Sequence, residues 1–332
     1  MTTLSLAIAT FTFSLVGVLT IKQYAQSRLL DVPNHRSSHT TPTPRGGGLG
    51  FVIAFLCMAT VASLGFQPIA WSLQPLQLAG LLLSLIPLAT IGLLDDLGHI
   101  SAKLRYGVQL GSGALAIICL GPFLGPWFPE GSVGIVLAIG LTLFGFTALV
   151  NFYNFMDGLD GLVASVTAVQ LGFLTLYLQQ PIWWLLVAAL LGFLYWNWSP
   201  AKIFMGDVGS TVLGASVAMA LMHPQGDPSQ KIAALAITLP LTADAIYTLV
   251  RRKLRGENIF QAHRSHLYQR LQQSGWSHRR VAIAYLLWTV VIAGLIGKFN
   301  LLGSSLSLLL SGVLIVSGEY YLKSQRGMIS QG

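Results

Sequence analysis

Charge and cysteine are both scarce in this 332-residue chain: 9% of its residues are charged and two are cysteines, against 54% hydrophobic. With a mean hydropathy of +0.68, so little charge excludes a soluble globular domain of ordinary composition. Period-2 alternation is also missing, which excludes a membrane barrel, so the apolar runs must be helices that satisfy their own backbone groups. Cys57 and Cys119 fall inside predicted spans on different helices, where a buried free thiol behaves as a small apolar residue. No disulfide, metal or redox role follows from them. Met1–Ser5 lacks the basic residues of a secretory signal, whereas Lys22 and Arg28 follow the first apolar stretch, so that stretch reads as a retained anchor.

What is present is a series of apolar runs, each near the roughly 20 residues that a helix needs to cross a hydrocarbon core of about 30 Å. They fall at 2–21, 47–66, 76–94, 106–124, 132–150, 161–178, 182–198, 208–222, 232–250, 281–297 and 301–322. The expectation is an all-α, polytopic integral membrane protein with about eleven transmembrane helices, forming one domain over residues 1–332. If the N-terminus lies outside, the odd-numbered connections and the C-terminal tail share one side. Of the nineteen Lys and Arg residues, only Lys231 and Lys298 then fall on the other side. The positive-inside rule makes the basic side cytoplasmic and implies a multi-pass protein of a bacterial inner membrane. The basic excess is therefore an orientation signal that also attracts anionic lipid or phosphorylated substrates, and it gives no reason to invoke nucleic acid.

The scarce acids are not scattered. Asp95, Asp96, Asp157, Asp160 and Asp207 all sit at predicted cytosolic helix ends, in clusters with Asn and Gly. Solvated helix ends would explain any one of them but not the set. Within the cytosolic loops 22–46, 95–105, 151–160, 199–207 and 251–280, five clusters offer chemistry. In Thr41-Pro42-Thr43-Pro44-Arg45-Gly46-Gly47-Gly48 the glycines permit close backbone approach, and Arg45 can fork onto phosphate oxygens. Asp31, Pro33, Arg36 and His39 enrich the same loop. Asp95-Asp96, followed by Lys103 and Arg105, places two carboxylates about 100° apart on a helix, so they divide their roles. Paired acids near a phosphate imply either a cation or a general base.

The most specific cluster is Asn151-Phe-Tyr-Asn154-Phe-Met-Asp157-Gly158-Leu-Asp160-Gly161. Steps of three drift by about 60° on a helix, so the four polar residues share a face only if the chain unwinds at the glycines. Their hard oxygen atoms suit Mg²⁺ or the hydroxyls and amide edges of a nucleotide. In Asn197-Trp-Ser199-Pro200-Ala-Lys202-Ile-Phe204-Met-Gly206-Asp207 the last residue opens a helix, where N–H groups and the dipole favour anions and a metal-bound carboxylate would lie beside a phosphate cradle. The Asn-Trp-Ser triplet matches a glycosylation acceptor by chance, given its cytosolic placement. Finally, Ala262-His263-Arg264-Ser265-His266-Leu267-Tyr268-Gln269-Arg270 lies in the long polar loop 251–280. It can grip phosphate and sugar hydroxyls, or rest on anionic lipid.

With PTPRGGG at 42–48, DD at 95–96, NFYNFMDGLDGL at 151–162, FMGDVGS at 204–210 and AHRSHLYQRL at 262–271 in this order, nearly the whole chain resembles the polyprenyl-phosphate sugar-1-phosphate transferases of glycosyltransferase family 4. TPTPRGGG and His-Arg-Ser-His depart from the peptidoglycan branch and look more like the branch that initiates O-antigen. The resemblance implies transfer of an N-acetylhexosamine 1-phosphate, 6-deoxy forms included, from a UDP-sugar to undecaprenyl phosphate with release of UMP. It implies Mg²⁺, or alternatively Mn²⁺, on Asp207 and Asn154. Asp95 becomes the candidate base or acceptor orienter, with Asp96 its partner. Asn151, Asn154, Asp157, Asp160 and Phe204 would line a nucleotide pocket, and Arg45, Lys103, His263, Arg264 and His266 would contact phosphate or sugar. A homodimer in the lipid bilayer is compatible with it. The rival is a lipid or solute transporter, against which the acids gather at one rim rather than at mid-membrane; only Asp244 and Glu319 lie within predicted spans.

Overall fold

In the computed structural model, residues 3–26, 29–33, 38–39, 41–65, 71–98, 100–125, 128–222, 227–259, 261 and 263–329 are described; Arg28, Arg36 and Ala262, named above, lie outside them. The described residues form an all-α membrane protein. The order is α1 (Thr3–Ala25), a two-residue antiparallel ladder of β1 (Leu30–Asp31) with β2 (Thr43–Pro44), then α2 (Gly48–Leu64), α3 (Pro75–Leu97) and α4 (Ala102–Leu120). There follow α5 (Ser132–Met156), α6 (Leu162–Tyr177), α7 (Trp183–Asn197) and α8 (Asp207–Leu221). Next, α9 (Pro228–Leu235) runs through the 3₁₀ turn Ala236–Thr238 into α10 (Leu239–Leu254), followed by the short α11 (Leu267–Gln273) and α12 (His278–Ile329).

Ten of the predicted spans lie along single helices, whereas 232–250 runs over α9, the 3₁₀ turn and α10. The last two occupy α12, which breaks at Asn300 (φ 49°, ψ −121°). The break is pinned: Tyr177 donates to Asn300 Oδ1 at 2.7 Å, and Asn300 Nδ2 donates to Ser229 Oγ at 3.1 Å. Among the described residues five helical rods, 3–25, 75–97, 132–156, 228–254 and 278–325, are long and apolar enough to cross a bilayer. The helices α2, α6, α7 and α8 are apolar but shorter.

The core is organised round α8, in which every residue from Val208 to Leu221 is buried. Lipid gives helices no hydrophobic reason to associate, so close approach at small residues and internal hydrogen bonds must do it. A Cβ on Gly214 would stand 2.6 Å from the Leu149 carbonyl of α5, and one on Gly92 of α3 2.7 Å from the Asp207 carbonyl. Between α1 and α7, Ser14 Oγ donates to the Ala189 carbonyl at 2.6 Å. Tyr153 donates to Gln170, whose amide reaches the Ile237 carbonyl. One expectation is corrected: Cys57 is exposed on the outer face of α2 and Cys119 is half-buried, so neither is a buried core thiol.

Candidate active site

The Pro/Gly loop that enters α2 lies along the segment that enters α8. Phe204 N–H donates to the Pro44 carbonyl at 2.8 Å, and the N–H groups of Gly47 and Gly48 donate to the carbonyls of Phe204 and Met205, each at 2.9 Å. A Cβ on Gly48 would lie 2.5 Å from the Gly209 Cα, so the approach demands glycine. Gly206, at φ +77°, turns the chain into α8 with its α-carbon against the Asp96 carboxylate, leaving no room for a side chain.

The Asp96 side chain is fully buried and belongs to this floor. Its Oδ1 accepts the Asp207 N–H at 3.0 Å and its Oδ2 the Val208 N–H at 3.2 Å, while Arg45 Nε stands 3.3 Å from Oδ1. A carboxylate from α3 thus caps the N-terminus of α8, satisfying two orphan donors and the dipole. Asp95 points elsewhere: Oδ1 accepts the Ile100 N–H at 2.9 Å and Oδ2 accepts Arg105 Nη1 at 2.6 Å. The same Arg105 nitrogen lies 3.3 Å from Asp207 Oδ2, so one guanidinium ties the second cluster to the fourth.

In the third cluster, α5 ends at Met156 and the chain unwinds through Gly161 (φ +70°). The four polar side chains do not share a face. Asn151 stays helical and exchanges hydrogen bonds with Gln109 of α4. Asn154 Nδ2 donates to Ser210 Oγ at 3.1 Å, and its amide stands near enough to the Asp207 carboxylate to favour its charged form. Asp157 is pushed up to about 8, first by burial and then by the Asp207 charge, which Arg45 only partly offsets. At Asp160 burial pushes upward, yet the His278 imidazole and the Ala201 N–H hold the carboxyl below its usual value. Asn197 fastens the two clusters together by accepting the Gly161 N–H at 3.0 Å and donating to the Ile203 carbonyl at 2.9 Å.

Arg45, Asn154, Asp157, Asp160, Phe204 and Asp207 line a single cleft of about 340 Å³. Asp31, Ser38, His39, Asn197, Gln269 and His278 also line it. Asp95, Asp96, Asn151, Lys103, His263, Arg264 and His266 do not line it. Lys103 is exposed on the first turn of α4. Arg264 reaches the wall indirectly, donating from Nη2 to Ser38 Oγ at 3.2 Å. The His266 ring is buried between those of His263 and Tyr268, at 4.9 and 5.7 Å.

Sequence reasoning missed the role of Asp244 and the presence of His278. Asp244 is fully buried in α10 and accepts the N–H groups of Leu267 (2.8 Å) and Tyr268 (3.0 Å) and the hydroxyl of Tyr285 (2.7 Å). It anchors α11, whose Tyr268 then donates to the Phe155 carbonyl at the end of α5. A lone acid in an apolar run was the signal for such buried partners. His278 offered no comparable signal, being one polar residue at the margin of a polar loop.

Among the described residues no group of three or more His, Cys, Asp or Glu side chains is placed to hold a metal. Mg²⁺ does not require one, because it keeps several waters and uses one or two carboxylates with substrate phosphates. The Asp207 carboxylate beside the Asn154 amide, with Asp157 repelled by it, is a donor set that fits a hard cation.

A helical membrane protein with a cleft that joins carboxylates, an arginine and a capped helix N-terminus has the groups that suit a phosphorylated substrate. Residues 78–224, from α3 to just beyond α8, match the model of Glycosyl transferase family 4. The chain is 30% identical to the decaprenyl-phosphate N-acetylglucosaminephosphotransferase of Mycobacterium leprae, over 85% of this chain and 79% of that protein. It is also 30% identical to the undecaprenyl-phosphate alpha-N-acetylglucosaminyl 1-phosphate transferase of Yersinia pestis, over 87% and 82%. Against a probable undecaprenyl-phosphate N-acetylglucosaminyl 1-phosphate transferase of Bacillus subtilis the identity is 28%, over 78% and 74%. The chain belongs to the polyprenyl-phosphate sugar-1-phosphate transferases of glycosyl transferase family 4, and it is a multi-pass membrane sugar-phosphate transferase.

Proposed function

We propose that this enzyme moves an N-acetylhexosamine 1-phosphate from a UDP-sugar to undecaprenyl phosphate at the cytosolic face of a bacterial inner membrane, starting a lipid-linked surface glycan such as O-antigen. The observation that carries this is the convergence of Arg45, Asn154, Asp157 and Asp207 on one cleft at the N-terminus of α8. N-acetylglucosamine is the first donor to try, since the relatives are named for it. PTPRGGG and AHRSHLYQ keep 6-deoxy N-acetylhexosamines as the finer alternative. One domain with about eleven crossings would present the five motif loops to the cytosol.

In the reaction an oxygen of the lipid phosphate attacks the sugar-bearing phosphorus and the bond to UMP breaks. One phosphoanhydride replaces another, so the work is to align two anions and screen their repulsion. Mg²⁺ on Asp207 and Asn154 would neutralise the diphosphate. Arg45, held by Asp96 at the cleft wall, orients the donor phosphates. Asp95 accepts from Ile100 N–H and from Arg105 and so positions that guanidinium against Asp207; the lipid phosphate, already ionised at neutral pH, has little need of a base. Phe204 and the 157–161 turn would flank the nucleotide.

The transporter reading loses its basis, because the two acids within spans are occupied internally. Asp244 anchors α11, and Glu319 is gripped by Arg251 and Arg270. The test is UMP release by purified protein from a panel of UDP-sugars. Release should require undecaprenyl phosphate and stop on chelation; release that ignores the lipid or survives excess chelator would contradict the reading.

A further inference from the structure

We infer that His278 is a positioning residue of the donor cleft: as an imidazolium it clamps Asp160 to the Ser38 carbonyl, joining the first cytosolic loop to the 157–161 turn. The inference rests on the function proposed above. His278 is the first residue of α12 and lines the cleft. Its Nε2 stands 3.0 Å from the Ser38 carbonyl oxygen, which can only accept, so Nε2 carries a proton. Its Nδ1 stands 3.1 Å from Asp160 Oδ1.

The backbone N–H of Asp160 also points at Nδ1, at 3.5 Å, and would favour a bare nitrogen there. A charged acceptor 0.4 Å closer outweighs a neutral donor at the limit of hydrogen-bond length, so Nδ1 is protonated too (3.5 Å against 3.1 Å). Both ring nitrogens therefore face acceptors, and the ring is fixed from two sides.

The surroundings make this clamp a determinant of the cleft's shape. Asp160 Oδ2 accepts the Ala201 N–H at 3.1 Å, which links the clamp to the segment leading to Phe204 and Asp207. Ser38 is held a second time by Arg264. The charged groups that face His278 are thus Asp160 from the 157–161 turn and Arg264 from the wall loop, whose positive charge opposes protonation; Asp31, His39 and Asp157 share the cleft. When the ring loses its second proton, the Asp160 carboxylate meets a lone pair and the clamp opens. Donor capture should then weaken while the transfer step, performed by other residues, continues at saturating donor.

The experiment compares wild type, His278→Gln, Asp160→Asn and the double variant in detergent, with donor KM, acceptor KM and kcat measured from pH 6 to 9. His278→Gln should raise donor KM about tenfold, the size of one charge-assisted hydrogen bond, and flatten the alkaline rise of wild-type donor KM, with kcat and acceptor KM within about twofold. The double variant should be no worse than the poorer single one, since both remove one contact. Donor KM effects that multiply, or a parallel fall in kcat and thermal stability, would overturn the inference in favour of general packing. A ligand-free readout separates its failure from failure of the function itself. Ser38→Cys should react with a soluble thiol reagent several-fold faster in combination with His278→Gln than alone; an unchanged rate would sink the clamp even in an enzyme that transfers no sugar phosphate at all.

Discussion

Along the α8 side of the cleft the chain meets itself backbone to backbone: Gly47 and Gly48 on Phe204 and Met205, Gly48 against Gly209, Gly92 against Asp207. Across from it, the wall to which Gln269 and His278 contribute hangs on side chains, with Asp244 under α11, Glu319 under Arg251 and Arg270, and His278 on Asp160. Backbone contacts fix atoms to a few tenths of an ångström and admit no substitution. Side-chain ties titrate, stretch and accept other residues. A floor of the first kind suits the step every donor shares, the alignment of two phosphates. A wall of the second kind suits whatever distinguishes one donor from another.

Several substitutions would break or sharpen that contrast. The largest effect belongs to Asp207→Asn, which removes a charge from the floor; transfer should fall by about 10³-fold or more, roughly 4 kcal/mol, with the membrane-inserted protein intact by size-exclusion profile. Gly48→Ala comes next. Its new methyl would meet the Gly209 backbone, so thermal stability should drop by about 3 kcal/mol or more, whereas a wall change such as Gln273→Ala should be within about 1 kcal/mol.

Asp157 links the contrast to pH. Its folded-state value of about 8 lies above that of an unfolded aspartate, so the native state binds the proton more tightly. Ligand-free stability therefore falls as pH rises from about 4 through about 8. Asp157→Asn should flatten that decline in melting scans while abolishing transfer; an unchanged slope would show that Asp157 ionises freely. The smallest effect is Arg264→Lys. It keeps the charge but loses the planar fork that reaches Ser38, and it should raise donor KM about tenfold or less, with the ranking of N-acetylhexosamine donors altered.

Much of the floor was legible because glycine, proline, arginine and aspartate stand out in so apolar a chain, and the distribution of Lys and Arg put their loops on one side. Which partner each side chain takes was not legible. Spacing placed Asn151 with Asn154 and Asp157, but neighbouring α4 supplies Gln109 and holds Asn151 out of the cleft. Asp96 was expected as the partner of Asp95, but it turns away from it to cap α8, whose first N–H groups sit directly beneath it. His263 and His266 stack in the support of the wall while His278, outside the motif, lines the cleft. These are tertiary choices, made where elements distant in sequence meet, and no window of sequence contains them.

The account turns on what is transferred, and the lipid product shows it directly. Wild-type protein should be given a UDP-N-acetylhexosamine whose two phosphates are isotopically distinguished, together with undecaprenyl phosphate, and the lipid analysed by mass spectrometry. The account predicts a lipid diphosphate sugar that retains the sugar-bearing phosphate of the donor, matched by UMP in solution and absent with Asp207→Asn. A lipid monophosphate sugar accompanied by UDP would contradict it.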